Sequence, residues 1–204
     1  MSKLLFKSSI LCLACLLVAA GNGITQEQRI GTNGASELLI PVGARYIAMG
    51  GAPIATVKGV DAIYWNPAGV ARANYTADVM FSHMSHIADI NINYVALALK
   101  FGSVGTVGLN VKALDIGDIA VTTEESPDGT GALLNPQFII TGLTYSRALT
   151  DRISVGATVN LISEQLERAT ASTIAFDFGV QYRDLASING LSIAVAVKNL
   201  GSRQ

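Results

Sequence analysis

What most limits the fold is a run of alternating segments, most of them about ten residues long, that fills the chain after Val70. Apolar and polar residues change places at each step, as in a strand with two unlike faces. The segments cover 75–84, 89–100, 106–116, 137–147, 153–163, 172–182 and 191–198. In the fifth, Ile153, Val155, Val159 and Leu161 oppose Ser154, Thr158 and Asn160. In the sixth, Ile174, Phe176, Phe178, Val180 and Tyr182 oppose Thr173, Asp177, Gly179 and Gln181. The third sets Val107, Leu109 and Val111 against Asn110 and Lys112; the second sets Ile90, Ile92 and Tyr94 against Asn91 and Asn93. Globular strands usually run five or six residues, whereas about ten are needed for a tilted strand to cross a bilayer. The second face is mostly polar or tiny rather than charged, which suits a wet or plug-filled lumen.

Composition supports the same reading. Half of the 204 residues are apolar, 14% are charged and the net charge is −1. A soluble surface usually carries about 25% charge. With no basic excess and no Lys/Arg-rich run, nucleic acid is not an expected partner. Connections at 101–105, 149–152 and 184–190 are short, and those at 85–88, 117–136 and 164–171 are polar, the middle one long. Short turns on one side and longer loops on the other belong to an outer-membrane barrel. A soluble β-sandwich would share the strand spacing without needing strands so long and so poor in charge.

Lys3 and Lys7 precede an apolar run over 10–20, with Val18-Ala19-Ala20 before Gly21, the layout of a secretory signal peptide over 1–20. The run is too short for a membrane span. Both cysteines, Cys12 and Cys15, lie inside it, so cleavage near Ala20 leaves a mature chain without disulfide, thiolate metal site or cysteine nucleophile. Residues 21–70 then form a polar lead-in and a Gly/Ala-rich stretch that holds Trp65, the only Trp. A short first strand is expected over 52–57. A helix through 61–64 should end before Pro67, which drives Asn66 towards extended geometry, with Gly69 free to take positive φ. The stretch reads either as a plug inside a barrel or as a loop and helix packed on a soluble sheet.

Residues 71–204 thus supply seven strands, and the short segment over 52–57 is a doubtful eighth. An eight-stranded closed barrel has no room for a plug. The chain stops in a polar stretch, Asn199 to Gln204, with no aromatic-terminated strand. The expectation is an all-β, antiparallel transmembrane β-barrel, incomplete in this chain, with an N-terminal hatch; alone it would leave two open edges.

Several motifs give a resemblance. They are Gly43-Ala44-Arg45, Ala48-Met49-Gly50-Gly51-Ala52, Tyr64-Trp65-Asn66-Pro67-Ala68-Gly69, Phe81-Ser82-His83, Ala88-Asp89-Ile90 and Gly117-Asp118. Val121-Thr122-Thr123-Glu124-Glu125, Pro127-Asp128-Gly129-Thr130-Gly131 and Leu149-Thr150-Asp151-Arg152 follow in order. Together they resemble the PorV/PorQ family of FadL-like outer-membrane proteins over nearly the whole mature chain. The resemblance implies a barrel of roughly fourteen strands, a hatch containing the Asn66-Pro67-Ala68 turn, and a cell outer-membrane location in contact with lipid. It implies a role in type IX secretion: receiving secreted cargo proteins and handing them to surface-attachment components, with 117–136, including Thr122, Glu124, Glu125, Asp128 and Gly129, as the contact loop. The alternatives are a FadL-like transporter of a hydrophobic small molecule and a purely structural barrel. Pro53 departs from the family pattern, where a small strand residue is usual.

Chemistry is not expected of the remaining polar groups. His83 and His86 lie three apart on a strand and face opposite ways, so with Asp89 they form a polar rim rather than a metal site. Ser82 and His83 are adjacent and cannot join Asp89 in a triad. No Gly-x-Ser-x-Gly elbow or phosphate loop is present. Glu124, Glu125 and Asp128 read as a solvated loop tip, as do Asp115 and Asp118 beside Gly117. No enzyme activity, metal or cofactor is expected. Arg45, the one charge in the hatch motif, pairs with Asp61 or faces a wet lumen.

Overall fold

The computed structural model describes residues 36–87, 90–124, 126–166 and 169–201. They belong to one compact unit beginning at Gly34. The expected signal peptide, the lead-in over 21–35, and the loop residues Ala88, Asp89 and Glu125 lie outside the described residues.

Seven long strands form one antiparallel meander. They are β1 (Ala77–Ser85), β2 (Asn91–Phe101), β3 (Gly105–Asp115), β6 (Gln137–Ala148), β7 (Ile153–Leu166), β8 (Ala169–Tyr182) and β9 (Ile193–Gly201), adjacent in that order. All seven expected strands are present. Between β3 and β6, β4 (Ile119–Ala120) and β5 (Leu133–Leu134) pair as a separate small hairpin. The expected loop over 164–171 is largely strand: β7 and β8 stay in register to Leu166↔Ala169, so the alternation of short and long connections fails there. Among the described residues β1 and β9 pair on one side only. An odd-numbered meander leaves them running the same way, so the sheet is open and cannot close antiparallel through these two edges.

The two faces differ as the alternation implies. Val79, Phe81, Leu109, Val111, Ile139, Leu143, Leu161, Phe176, Phe178, Val180, Val195 and Val197 are exposed on one face. On the other face, Thr106, Asn110, Lys112, Thr144, Ser146, Ser154, Thr158, Asn160, Asp177 and Gln181 are buried. What buries this polar face is residues 36–73. β2 is the exception to the pattern: Ile92, Tyr94, Ala96 and Ala98 turn to the covered side and Asn93 to the outer one. Tertiary packing explains it, because these four side chains meet Val42, Val60, Ile63 and Val70 in the main hydrophobic cluster.

The covering segment is a chain of short helical turns: Ser36–Leu39, Ala44–Ala48, Ala52–Ala55, Gly59–Asp61, Ala62–Trp65 and Pro67–Arg72. The strand expected over 52–57 is therefore a 3-10 turn, with Pro53 near its start, where a missing N–H costs nothing. The Ala62–Trp65 helix ends as the Pro rule requires, with Asn66 extended at φ −159° and ψ 105°. Gly69 does not take positive φ. It is needed for closeness instead, since a Cβ there would run into the Val57 carbonyl oxygen.

Candidate functional site: the joint between hatch and sheet

The Asn66-Pro67-Ala68-Gly69 turn sits in a dent in the sheet. Gly156 of β7 and Gly179 of β8 are directly paired. A Cβ on Gly156 would collide with the Pro67 carbonyl, and one on Gly179 with Asn66 Oδ1. Two facing residues without side chains thus let one backbone lie on another. Hydrogen bonds of ordinary length surround the dent. Asn66 Oδ1 accepts from Ala68 N at 3.1 Å and Asn66 Nδ2 donates to the Ile54 carbonyl at 3.0 Å. Ser146 Oγ accepts from Ala71 N at 3.1 Å. Gln181 Nε2 donates to the carbonyls of Ile54 and Val57 at 3.0 and 2.9 Å. Arg72 Nε donates to Ser154 Oγ at 2.9 Å, while its Nη2 is buried without a partner among the described residues. Asn66, Ala68 and Val70 have no exposed surface.

A second joint lies at the other end of the hatch. Lys112 Nζ donates to the carbonyls of Glu37 and Ile40 at 2.7 and 2.6 Å. Tyr64 Oη donates to those of Leu38 and Ile40 at 3.3 and 3.2 Å. The ammoniums of Lys198 and Lys112 lie 3.6 and 5.6 Å from the Tyr64 ring centroid. Asp177 accepts from Asn160 Nδ2 at 2.8 Å and from Asn199 N at 2.6 Å. Glu37 Oε1 is buried and unbonded among the described residues. Burial raises the Glu37 carboxyl above its usual range, its own backbone hydrogen bond opposes this, Glu164 adds to the rise and Lys112 opposes it. Burial, with Asp177 adding, pushes the Tyr64 hydroxyl up to about 12.

The motif residues divide between buried and exposed positions. Gly43, Asn66, Pro67, Ala68 and Gly69 are buried, whereas Ala44, Arg45, Met49 and Gly50 are exposed and Gly51 is half-buried. Arg45 lies over the Tyr46 ring, 5.5 Å from its centroid. No ion pair joins Arg45 to Asp61: burial raises the Asp61 carboxyl, Asp78 adds to this, and Arg45 opposes it from a distance. In the long loop, Thr122, Glu124 and Asp128 are exposed and Gly129 takes a φ of 112°. Asp115 Oδ1 accepts from Gly117 N and Asp118 Oδ1 from Asn135 Nδ2, so these carboxylates hold the base of the loop. His83 Nδ1 is 2.8 Å from Asn93 Oδ1 on the outer face, and no metal-binding cluster occurs among the described residues.

Sequence reasoning missed Glu37, Lys112, Asp177, Gln181 and Lys198 as a group. A usable signal existed: Gly142, Gly156 and Gly179 share the polar parity of successive strands with Asn110, Asn160 and Gln181.

Residues 13–198 match the model of UPF0164, an uncharacterised protein family, and the chain belongs to that family. No curated protein matches it.

Proposed function

We propose that the chain forms part of the wall, together with the internal hatch, of an outer-membrane β-barrel that passes a hydrophobic small molecule. The observation that carries this reading is the inversion of the two faces. The outer face exposes large apolar side chains on strand after strand, while the face under the hatch buries Asn, Thr, Ser, Lys and Asp. A soluble sheet would turn its apolar side inwards. Eleven residues, the length of β2 and of β3, extend roughly 36 Å, and a 45° tilt brings this to about 25 Å, the height of an apolar band in lipid.

Transport is favoured by a cleft of about 530 Å³ between the hatch and β9, lined by Leu39, Pro41, Ile47, Ile54, Trp65 and Lys198 among others. Its volume and apolar lining suit a small hydrophobic ligand, and the Lys198 ammonium would favour a polar or anionic end. The resemblance to PorV/PorQ proteins supports a second reading, receipt and hand-over of secreted cargo through type IX components. The observation favouring it is the paired hairpin β4–β5, which holds Ile119 and Leu133 exposed at the base of the long loop.

Deletion of the whole gene separates the two. Loss of uptake of a fluorescent long-chain amphiphile, with surface-attached proteins unchanged, is the expected result. Loss of surface-attached proteins with normal uptake would replace the transport reading by the cargo one.

A further inference from the structure

Beneath Tyr64 and Ile63 the sheet leaves a narrow chamber lined also by Leu38, Tyr94, Asn110, Lys112, Ile140, Asn160, Asp177 and Lys198. Its shape follows from one register row across the sheet, Asn110↔Gly142↔Asn160. Gly142 has no side chain, so the amides on either side lean over it: a Cβ there would strike Asn110 Oδ1 and lie 2.7 Å from Asn160 Oδ1. The Asn160 amide is oriented by its Nδ2–H bond to Asp177, which leaves Oδ1 as the atom facing the glycine. Among the described residues Asn110 Oδ1 is buried and unbonded, and so is Tyr94 Oη, on a residue only 1% exposed.

We propose that this chamber is a binding site for a single water molecule. That water donates to Asn110 Oδ1 and Asn160 Oδ1 and accepts from Tyr94 Oη–H. Three features single out water. The cavity measures about 20 Å³, and about 10–15 Å³ on this measure is enough for one water. The Lys112 and Lys198 ammoniums line the same space and would repel a cation. An anion would meet two amide oxygens and the Asp177 carboxylate. A neutral group that donates twice and accepts once satisfies the donor and the acceptors together, where each would otherwise stay desolvated and unbonded.

The test is a crystal structure of the whole chain at a resolution that shows ordered water. One full-occupancy peak within hydrogen-bonding distance of Asn110, Asn160 and Tyr94 is expected. An empty chamber, with the Asn110 amide turned so that Nδ2 donates directly to Asn160 Oδ1, overturns the proposal. Water-oxygen relaxation in solution gives a second readout on conservative variants. Tyr94→Phe should shorten the residence time of this water at least tenfold, and Gly142→Ala should lower the number of long-lived waters by one. An unchanged count in Gly142→Ala, with the variant folded, also overturns it.

Discussion

Residues 66–73 meet the sheet through fitted backbone and short side chains, whereas residues 36–41 meet it through Lys112, beside Tyr64 of the hatch and a Glu37 carboxyl oxygen unbonded among the described residues. At the first joint the glycine pair Gly156–Gly179 admits the Pro67 turn, and Ser146, Ser154 and Gln181 take up the hatch's polar groups. At the second, Lys112 and Tyr64 hold the carbonyls of a single turn beside Glu37 and the narrow chamber. Steric fit fixes one end of the hatch. Charged and hydrogen-bonding groups that depend on pH and water hold the other. The second end is therefore the one that should yield first.

The largest effect is expected at the dent. Gly156→Leu puts a side chain where the Pro67 carbonyl and the Ala68 amide lie, against backbone that cannot easily move aside, and should cost about 3 kcal/mol or more. In the folded fraction, limited proteolysis should cut the hatch at Lys58 and Arg72. Undiminished protection would mean that the dent is not what seats the hatch. Ile63→Ala should follow closely: Ile63 is 2% exposed and packs over Gly108, and deletion of such a side chain costs about 2–5 kcal/mol in a thermal or denaturant melt.

Lys112→Met sharpens the comparison, because it removes two hydrogen bonds at the second joint and leaves the first intact. A loss of about 1–3 kcal/mol is expected, with faster hydrogen exchange confined to residues 36–41. Exchange that also rises over 66–73 would show that the two joints act as one.

Glu37→Gln addresses pH. The folded state raises the Glu37 carboxyl, so it favours the protonated form. The stability this contributes is fully present below the unfolded pKa and is lost as pH rises through the higher folded value. Replacement by Gln should therefore stabilise the second joint at neutral pH and flatten its loss between acid and neutral conditions, as followed by melts across that range. The smallest effect belongs to the loop: Glu124→Ala and Asp128→Ala, both exposed, should change stability by less than about 0.5 kcal/mol.

The strands were legible because alternation survives wherever one face meets lipid or solvent and the other meets a polar hatch. β2 shows the limit. Its inner face is apolar only because Ile63, Val60 and Val42 happen to cover it, and that is a tertiary fact. The β7–β8 connection was misread for a related reason. Its polar residues look like a loop, yet ladder pairing carries the strands through to Leu166 and Ala169. The Pro67 turn was readable from φ restriction alone. Its socket was not, because Gly156 and Gly179 become a dent only once register sets them side by side. Lys112 and Lys198 were hidden similarly, as inward positions whose partners lie far away in sequence.

Tryptophan quenching by brominated lipid tests most directly the proposal that the apolar outer face meets lipid while the hatch faces inwards. Trp65 is the only Trp and sits in the hatch, donating to the Val42 carbonyl at 3.2 Å. Phe178 is on the outer face and 48% exposed. In reconstituted vesicles the native chain should show little quenching, and Phe178→Trp on a Trp65→Phe background should be quenched strongly. Weak quenching at 178, or stronger quenching of Trp65, would contradict the account.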